Sequence, residues 1–386
     1  MTAVDPEALL AELVAFPTIA GRSNLELIDR VADRLDAAGA DCRIVPAHRD
    51  DARGLHAVIG PAGVAGGTLL SGHSDVVDVA GQPWSSDPFV LTEDGGRLYG
   101  RGSTDMKGFL AAAIAVASGV GARRLRRPLH LAISADEELG CLGTPSLIDA
   151  LRFAPGTAPA VCIVGEPTSL DVVVRHKGKA GFRVEVRGRA CHSSVATDGV
   201  NAVEVAAELI VALRALGTRL AEGPADAAFR APHATVSTGP IAGGISTNVV
   251  PDHCTFDFEI RTLPGQSPDA ALAPLDAVVA AVRAEIRARA PEADITVGRL
   301  VGYPGLGGSP EDAAATRIAG LAGTAVRPAV DFGTEAGLLS DGLGVPCVIC
   351  GPGDMARGHR ADEYLERSEL AAAVSFLQRV VDDLAG

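Results

Sequence analysis

The chain has 386 residues, of which 47% are hydrophobic and 21% are charged, and its formal net charge is −14. This balance is typical of globular domains, and the length allows more than one of them. Because the charge is acidic and the basic residues are dispersed, we expect no nucleic-acid partner. The longest apolar run, over 109–122, is shorter than the roughly 18 residues of a membrane span, so we expect no membrane partner.

The N-terminal segment predicts a helix that Asp5 caps and Pro6 begins. It lacks the basic start and continuous apolar core of a secretory signal peptide. Most of the 7 cysteines lie in strand-like runs, and the Cys347-x-x-Cys350 pair has no second pair with which to bind zinc. We therefore expect buried, reduced thiols and a cytoplasmic protein.

Strand-like and helical runs alternate over residues 1–178. The strands "HAVIG" and "TLLSGH" are followed by a helix near 106–120, the strand "LHLAIS", a helix near 143–152 and the strand "AVCIVGE". Apolar strands between helices predict an α/β domain with a mainly parallel sheet that is covered on both faces.

A second pattern begins near Lys179, where "AGFRVEVRGRA" alternates apolar and polar residues as a half-exposed antiparallel strand does. The order of elements over 179–299 is βαββαβ, which predicts a smaller inserted domain. The α/β pattern returns over 300–386, so we expect the large domain to be discontinuous, comprising 1–178 and 300–386.

Several motifs of common enzymes are absent from the sequence. It contains no GxGxxG after a strand, no GxxxxGK[ST], no GxSxG and no HExxH. Nucleotide-dependent enzymes and serine hydrolases of the common kinds are therefore disfavoured.

Histidines and acids follow the predicted strands of the large domain. They are His73, Asp75, Asp105, Glu137, Glu138, Glu166 and His359. Each one alone has an ordinary explanation, such as a polar strand end, a helix cap at Asp105 or a surface-loop histidine at His359. Together they place two histidines and three acids at five strand ends of one sheet, where ligand sites of open α/β sheets gather.

Such a set of oxygen and nitrogen donors suits divalent cations, and a bridging carboxylate can hold two ions about 3.5–4 Å apart. In this interpretation Glu138 is a ligand and Glu137 holds the proton of the reacting water. Asp75 holds the second ring nitrogen of His73.

The motifs resemble those of the dinuclear zinc amidohydrolase and peptidase family. The matching segments, in chain order, are "GHSDVV", "LYGRGSTDMKG", "ADEELG", "GEPTS", "HKG", "CHSS", "GVNAVE", "TNVVP", "IRTLPG", "GTEAG", "GPGD" and "DEYL". They extend over nearly the whole chain, so the resemblance does not depend on any single motif.

The resemblance implies two divalent metal ions, Zn²⁺ first, with Co²⁺ or Mn²⁺ as alternatives. The implied ligands are His73 and Glu166 for one ion, Glu138 and His359 for the other, and Asp105 as the bridge. It also implies that Asp75 orients His73 and that Glu137 is the general base and then the general acid.

The resemblance assigns functions to the inserted domain as well. It implies that His192 stabilises the oxyanion, although a surface histidine is the ordinary alternative, and that Asn248 and Arg261 contact the substrate. The guanidinium of Arg261 suits a bidentate grip on an α-carboxylate. The resemblance further implies a homodimer through this domain, which would act as a lid and dimerisation domain.

Within the family, "HKGKAG", "RTLPG" and "GTEAG" are most similar to the acetylornithine deacetylases. We therefore expect hydrolysis of a small N-acylated amino acid, N-acetylornithine, to ornithine and acetate, a step of arginine biosynthesis. Glu335 either meets the substrate ammonium or is an acid at a helix start. The alternatives are a succinyl-diaminopimelate desuccinylase, a general N-acyl amino acid hydrolase (for example of acetylcitrulline), a carboxypeptidase or dipeptidase, and a non-catalytic metal-dependent binding protein.

Overall fold

The computed structural model describes residues 4–120 and 125–386. They form two compact units. The large unit comprises the described residues up to Arg175 together with Leu306–Ala329 and Thr334–Gly386, and the small unit comprises His176–Gly305 and Val330–Gly333. The chain returns from the small unit to the large unit after Gly305, whereas the sequence predicted this boundary between residues 299 and 300. The boundary lies later because the last strand of the small unit continues to Tyr303.

The α-helices of the described residues are α1 (Pro6–Val14), α2 (Leu25–Ala37), α3 (Gly108–Gly119), α4 (Thr144–Ala150), α5 (Ala202–Ala221), α6 (Pro268–Arg289), α7 (Ala313–Ala322), α8 (Ala336–Leu343) and α9 (Arg367–Ala385). As predicted, Asp5 caps α1 by accepting a hydrogen bond from the backbone N–H of Glu7.

The strands of the described residues are β1 (Asp41–Pro46), β2 (Arg53–Ile59), β3 (Thr68–His73), β4 (Thr92–Asp94), β5 (Arg97–Tyr99), β6 (Leu129–Ser134), β7 (Val161–Pro167), β8 (Val172–Val173), β9 (Arg175–His176), β10 (Gly178–Arg187), β11 (Thr235–Gly243), β12 (His253–Thr262), β13 (Asp294–Tyr303), β14 (Leu306–Gly307), β15 (Val326–Arg327), β16 (Cys347–Gly351) and β17 (Tyr364–Glu366).

The large unit is built on an eight-stranded sheet with the order β1-β2-β6-β3-β7-β16-β8-β15. The central strands β6, β3, β7 and β16 are parallel, which confirms the predicted mainly parallel sheet. At one side of the sheet, β2 pairs with β6 in antiparallel orientation, and β1 pairs with β2 in antiparallel orientation. Every residue of the four central strands is buried, as expected for strands that are covered on both faces.

Helices α1, α2, α3 and α9 enclose the main core of the large unit. Helix α3 packs closely on strand β7 at Gly165. A Cβ added at Gly165 would lie 2.0 Å from the ring of Phe109 on α3, so this position of the strand requires a glycine. The contact lies at the residue that precedes Glu166 on β7, and it therefore holds the strand in place beside that side chain. A separate three-stranded sheet has the order β17-β5-β4.

The small unit has the element order βαββαβ that the sequence predicts, from β10 to β13. Its antiparallel sheet has the order β11-β12-β10-β13, and α5 and α6 pack on it. Alternate residues of β12 are buried, in agreement with one covered face.

Two further expectations concern cysteines and membranes. All seven cysteines are free, and five of them are buried. No helix among residues 4–120 and 125–386 is both long enough and apolar enough to span a bilayer.

Candidate active site

The carboxyl ends of three neighbouring strands of the large sheet carry four of the predicted site residues. His73 is the last residue of β3, Glu166 lies near the end of β7, and Glu137 and Glu138 follow β6. Because these strands are parallel and adjacent, their carboxyl ends meet at one edge of the sheet. The sequence prediction of a shared edge is correct for these residues.

Two further residues reach the same edge from loops. His359 lies in the loop after β16, and Asp105 lies in an irregular turn, Ser103–Lys107, after β5. The prediction of five strand ends of one sheet is therefore wrong for Asp105, since β5 belongs to the three-stranded sheet. Asp105 is also not a helix cap, because its φ of −122° and ψ of 93° lie inside the turn and α3 begins only at Gly108.

The two carboxylate oxygens of Asp105 face two different imidazoles. Oδ1 lies 3.2 Å from Nε2 of His73, and Oδ2 lies 3.0 Å from Nε2 of His359. Asp105 is 4% exposed, whereas the side chain of His359 is 49% exposed. This is the geometry that a carboxylate bridging two cations needs, with one side open to solvent.

Each imidazole has a second acidic neighbour. Oε1 of Glu138 lies 3.2 Å from Nε2 of His359, and Oε1 of Glu166 lies 3.7 Å from Nε2 of His73. Potential ligand atoms of His73, Asp105 and Glu138 all lie within 4.8 Å of one another, as do those of His73, Glu137 and Glu166. The structure thus brings together all five predicted metal ligands.

Asp75 supports this arrangement differently from the prediction. The backbone carbonyl of Asp75, rather than its carboxylate, lies 2.8 Å from Nδ1 of His73, and Oδ1 is 3.7 Å away. The carboxylate instead accepts hydrogen bonds from the backbone N–H groups of Glu137, at 3.1 Å, and Glu138, at 3.0 Å. One residue therefore orients His73 and also holds the loop that carries the two glutamates.

The two imidazoles lie in a strongly acidic environment. Burial alone lowers the pKa of His73, but the neighbouring carboxylates, Asp105 first, raise it well above its usual value. Hydrogen bonds to Asp105 and Glu138 raise the pKa of His359 to about 10. Burial acts to raise the pKa of Asp105, but the two imidazoles outweigh burial and lower it.

The glutamates are shifted in the opposite direction. Burial, and then the neighbouring carboxylates, raises the pKa of Glu137 to about 8. Burial and the adjacent Asp105 also raise the pKa of Glu138, and they raise that of Glu166 well above its usual value. The glutamates resist ionisation because the site concentrates negative charge in a buried place.

The donor set fits two divalent cations. Five carboxylates, those of Asp75, Asp105, Glu137, Glu138 and Glu166, share this edge with two imidazoles. Cations would compensate the excess negative charge, and oxygen and imidazole donors are those that zinc and related ions accept. The residues that would hold them are His73, Asp105, Glu138, Glu166 and His359.

No role is predicted from the sequence for Asp136, the first acid of "ADEELG". It is 1% exposed, and its carboxylate accepts hydrogen bonds from the backbone N–H of Gly21 at 2.7 Å and from Nε of Arg49 at 3.0 Å. Its φ of 52° is unusual for a residue other than glycine. Asp136 is therefore compensated by a guanidinium, which distinguishes it from the two glutamates that follow.

Glu335 is buried at the start of α8, with 1% exposure. Its two oxygens accept hydrogen bonds from Oγ of Ser71 at 2.6 Å and Oγ1 of Thr144 at 3.0 Å. Ser71 lies on β3 and Thr144 begins α4, so the carboxylate joins three elements of the large unit. This geometry favours the helix-start interpretation over contact with a substrate ammonium.

The remaining predicted residues lie in the small unit. His192 is exposed, and its Nδ1 accepts a hydrogen bond from the backbone N–H of Ser194, so Nε2 faces away from this turn. The carbonyl of Asn248 accepts a hydrogen bond from Ser193 N–H at 3.0 Å, which places Asn248 beside His192. Nε of Arg261 donates to Glu259 at 2.9 Å.

The chain is similar to proteins of one known family over most of its length. Residues 69–383 match the model of peptidase family M20/M25/M40. An acetylornithine deacetylase from Myxococcus xanthus is 36% identical over 98% of this chain and 97% of its own. One from Aliivibrio fischeri (strain ATCC 700601 / ES114) is 33% identical over 93% and 91% of the two chains.

A solved structure shows the same fold at lower identity. The M20 family metallo-carboxypeptidase Sso-CP2 from Sulfolobus solfataricus superposes with a TM-score of 0.80 at 17% identity, over 99% of this chain and 100% of its own. The family match covers most of the chain and includes every proposed metal ligand. The chain therefore belongs to peptidase family M20/M25/M40, and it is a hydrolase of this metal-dependent family.

Proposed function

We propose that this protein is an acetylornithine deacetylase that hydrolyses the amide bond of N-acetylornithine with two divalent metal ions. The observation that carries the proposal is Asp105, whose two oxygens face His73 at 3.2 Å and His359 at 3.0 Å. The name of the Myxococcus xanthus relative, which is similar over nearly the whole chain, supports the choice of substrate.

The chain's own residues supply the proton transfers of this reaction. When bound, the two cations supply Lewis-acid activation of water and of the amide carbonyl. The carboxylate of Glu137 takes a proton from the attacking water and returns it to the nitrogen of the leaving amine. Asp75 supports this step, because its carboxylate holds the backbone N–H of Glu137 at 3.1 Å.

For the small unit we propose that His192 stabilises the developing oxyanion and that Arg261 and Asn248 bind the substrate. His192 and Asn248 lie side by side, and both are exposed. Nε of Arg261 donates to Glu259, and the two Nη groups of the guanidinium would supply the contact to a substrate carboxylate.

We propose Zn²⁺ as the resident metal, with Co²⁺ and Mn²⁺ as alternatives. Imidazole nitrogens and carboxylate oxygens form the donor set, and thiolates are absent from it among the described residues. Such mixed donors suit zinc, and also other divalent ions of the first transition series.

We further propose a cytoplasmic homodimer formed through the small unit. Strand β11 is at the edge of its sheet, and seven of its nine residues are exposed. Ile241 is 52% exposed and Ile245 is 91% exposed. An unpaired edge with apolar side chains favours association with another chain. Light scattering after size exclusion tests this proposal, and a monomer at micromolar concentration would contradict it.

The proposed reaction is tested by amine release from a substrate panel. The panel contains N-acetylornithine, N-acetylcitrulline, N-acetylmethionine, N-succinyl-diaminopimelate and several dipeptides. Each is incubated with chelator-treated protein, with and without added Zn²⁺ or Co²⁺, and with Glu137→Ala as the blank. We expect metal-dependent turnover that is highest for N-acetylornithine.

Other outcomes distinguish the alternatives. Preference for N-succinyl-diaminopimelate or for another N-acyl amino acid would replace the substrate and leave the metal-dependent hydrolysis in place. Preference for dipeptides would favour a peptidase on the same fold. Zinc binding without turnover of any compound would favour a non-catalytic binding protein.

A further inference from the structure

A buried carboxylate outside the donor set holds the backbone from which Asp105 projects. Oε1 of Glu363 accepts hydrogen bonds from the backbone N–H groups of Thr104, at 2.9 Å, and Asp105, at 3.0 Å. Glu363 is 1% exposed, so solvent does not compete for these bonds. A carboxylate that accepts two N–H groups restrains the turn Ser103–Lys107 at the residue that faces both imidazoles.

The second oxygen of Glu363 is held by a buried guanidinium. Nη1 of Arg101 donates to Oε2 at 2.6 Å, and Arg101 is also only 1% exposed. Arg101 in turn donates to Gln82 and lies with Cζ 5.0 Å from the ring centroid of Trp84. Because a buried charge without a partner is unfavourable, Arg101 and Glu363 depend on each other for their positions.

The same network reaches the loop of the second imidazole. Gln82 donates from Nε2 to the backbone carbonyl of His359 at 3.4 Å, a long hydrogen bond. Glu363 follows His359 by four residues in the same loop. The residues that hold the turn of Asp105 therefore also contact the segment that carries His359.

We propose that Glu363, supported by Arg101, is a positioning residue for the metal centre. It holds the turn of Asp105 so that the two oxygens of that carboxylate face the two imidazoles. The inference rests on the proposed function, because it takes Asp105 as the bridging ligand. Since Asp105 would serve both ions, loss of the Glu363 carboxylate should weaken both metal positions together.

Zinc affinity tests this role without reference to turnover. Chelator-treated wild-type protein and Glu363→Gln are titrated with Zn²⁺ in competition with a chromophoric chelator. Gln has the same size and keeps one acceptor oxygen, but it lacks the charge that holds the N–H groups and Arg101. We expect the affinity of both positions to fall about 10- to 100-fold, the range for residues that support metal ligands.

A matched control removes another ion-paired carboxylate of the large unit. Asp383 on α9 binds Arg127 at 3.1 Å and also binds Arg317. Asp383→Asn should lower the thermal unfolding midpoint slightly and leave both zinc affinities unchanged. Glu363→Asp keeps the charge on a shorter side chain, and its loss of affinity should be smaller than that of Glu363→Gln.

A double variant separates positioning from charge compensation. If Glu363 only neutralises Arg101, the variant Glu363→Gln/Arg101→Met should recover wild-type zinc affinity, because neither charge remains. Positioning requires that affinity stays reduced. Recovery in the double variant, or unchanged affinity in folded Glu363→Gln, would overturn the proposal.

Failure of the proposed function would give a different result. Wild-type protein that binds two Zn²⁺ ions but hydrolyses another substrate would overturn the proposed substrate and leave the role of Glu363 in place. Wild-type protein that binds no Zn²⁺ would overturn both.

Discussion

The charged residues at the carboxyl edge of the large sheet and those on the small sheet lie in opposite environments. On the small sheet, Arg183 of β10 lies opposite Asp257 of β12 and binds it at 2.7 Å, and the two side chains are 57% and 24% exposed. At the carboxyl edge of the large sheet, His73 and Asp105 are 1% and 4% exposed, among carboxylates that outnumber the imidazoles.

The difference shows where a function should be sought. Exposed, oppositely charged pairs contribute little to stability and are found on most protein surfaces. Buried carboxylates of like charge are unfavourable unless a cation compensates them, so their presence indicates a site that binds one. Exposure and charge balance therefore distinguish the two regions better than residue type does.

The largest expected effect is on catalysis at the buried edge. Glu137→Gln keeps the size of the side chain but cannot accept the proton of the attacking water. We expect kcat for N-acetylornithine to fall about 10²- to 10⁴-fold, the usual contribution of general acid–base catalysis. Steady-state kinetics with saturating Zn²⁺ measures it. Glu185→Gln on the small sheet is the control, and an equal loss there would contradict the comparison.

Metal removal should destabilise the buried edge and not the small sheet. Binding of Zn²⁺ at 100 to 1,000 times its Kd should add about 2.7–4.1 kcal/mol to the free energy of unfolding per site. Thermal unfolding with and without chelator measures this change. Hydrogen exchange should accelerate in the loop of Glu138 after chelation and stay constant in β10 and β12. Uniform acceleration in both regions would show that the metal stabilises the chain generally.

A pair of uncharged imidazoles, of which His130 is buried and His56 is half-buried, makes stability depend on pH. His56 and His130 lie on adjacent strands with their rings stacked 5.4 Å apart. Burial, together with Arg43 near His56 and with His56 near His130, lowers the pKa of each to about 4. In the unfolded chain the value is about 6.5, so between these values the unfolded state binds more protons.

The free energy of unfolding should therefore fall as the pH falls from about 6.5 to about 4, by up to about 3 kcal/mol for each imidazole. Denaturant titrations over this range measure the loss. His130→Phe should reduce the pH dependence by removing one of the two groups. The exposed His253, whose side chain is 55% accessible, provides the control His253→Gln. A pH dependence that is unchanged in His130→Phe would contradict this assignment.

The smallest effect is expected on the small sheet. Asp257→Asn removes the carboxylate that binds Arg183, but both side chains remain accessible to solvent. The thermal midpoint should stay within about 2 °C of wild type, and kcat and zinc affinity should not change. Differential scanning calorimetry together with the amine-release assay checks this expectation. A large loss of stability would mean that exposure alone does not separate the two regions.

The sequence predicted the parts of the site that follow regular strands. His73, Glu138 and Glu166 follow apolar runs whose period and length identify buried parallel strands, and such strands end at one edge. The same logic failed for Asp105, because "LYGRGSTDMKG" contains a short strand of another sheet and an irregular turn. Local periodicity does not reveal which sheet a three-residue strand joins.

Contacts between distant segments were not predictable from patterns. The sequence indicated that the Asp75 carboxylate holds His73, but it cannot show whether a carboxylate or a backbone carbonyl occupies that position. Asp136 and Glu363 belong to acidic runs in which neighbouring acids look equivalent. Their partners, Arg49 and Arg101, are 87 and 262 residues away along the chain.

The sequence by itself determined the fold class, the order of elements in the small unit and the residue types of the site, because periodicity and strand-end position are local properties of the chain. Tertiary structure decided which carboxylates are compensated by a guanidinium and which have no guanidinium partner and would bind a cation. It also decided that Asp105 faces two imidazoles and that Glu363 holds its backbone. These facts depend on distances between segments that only the packed chain brings together.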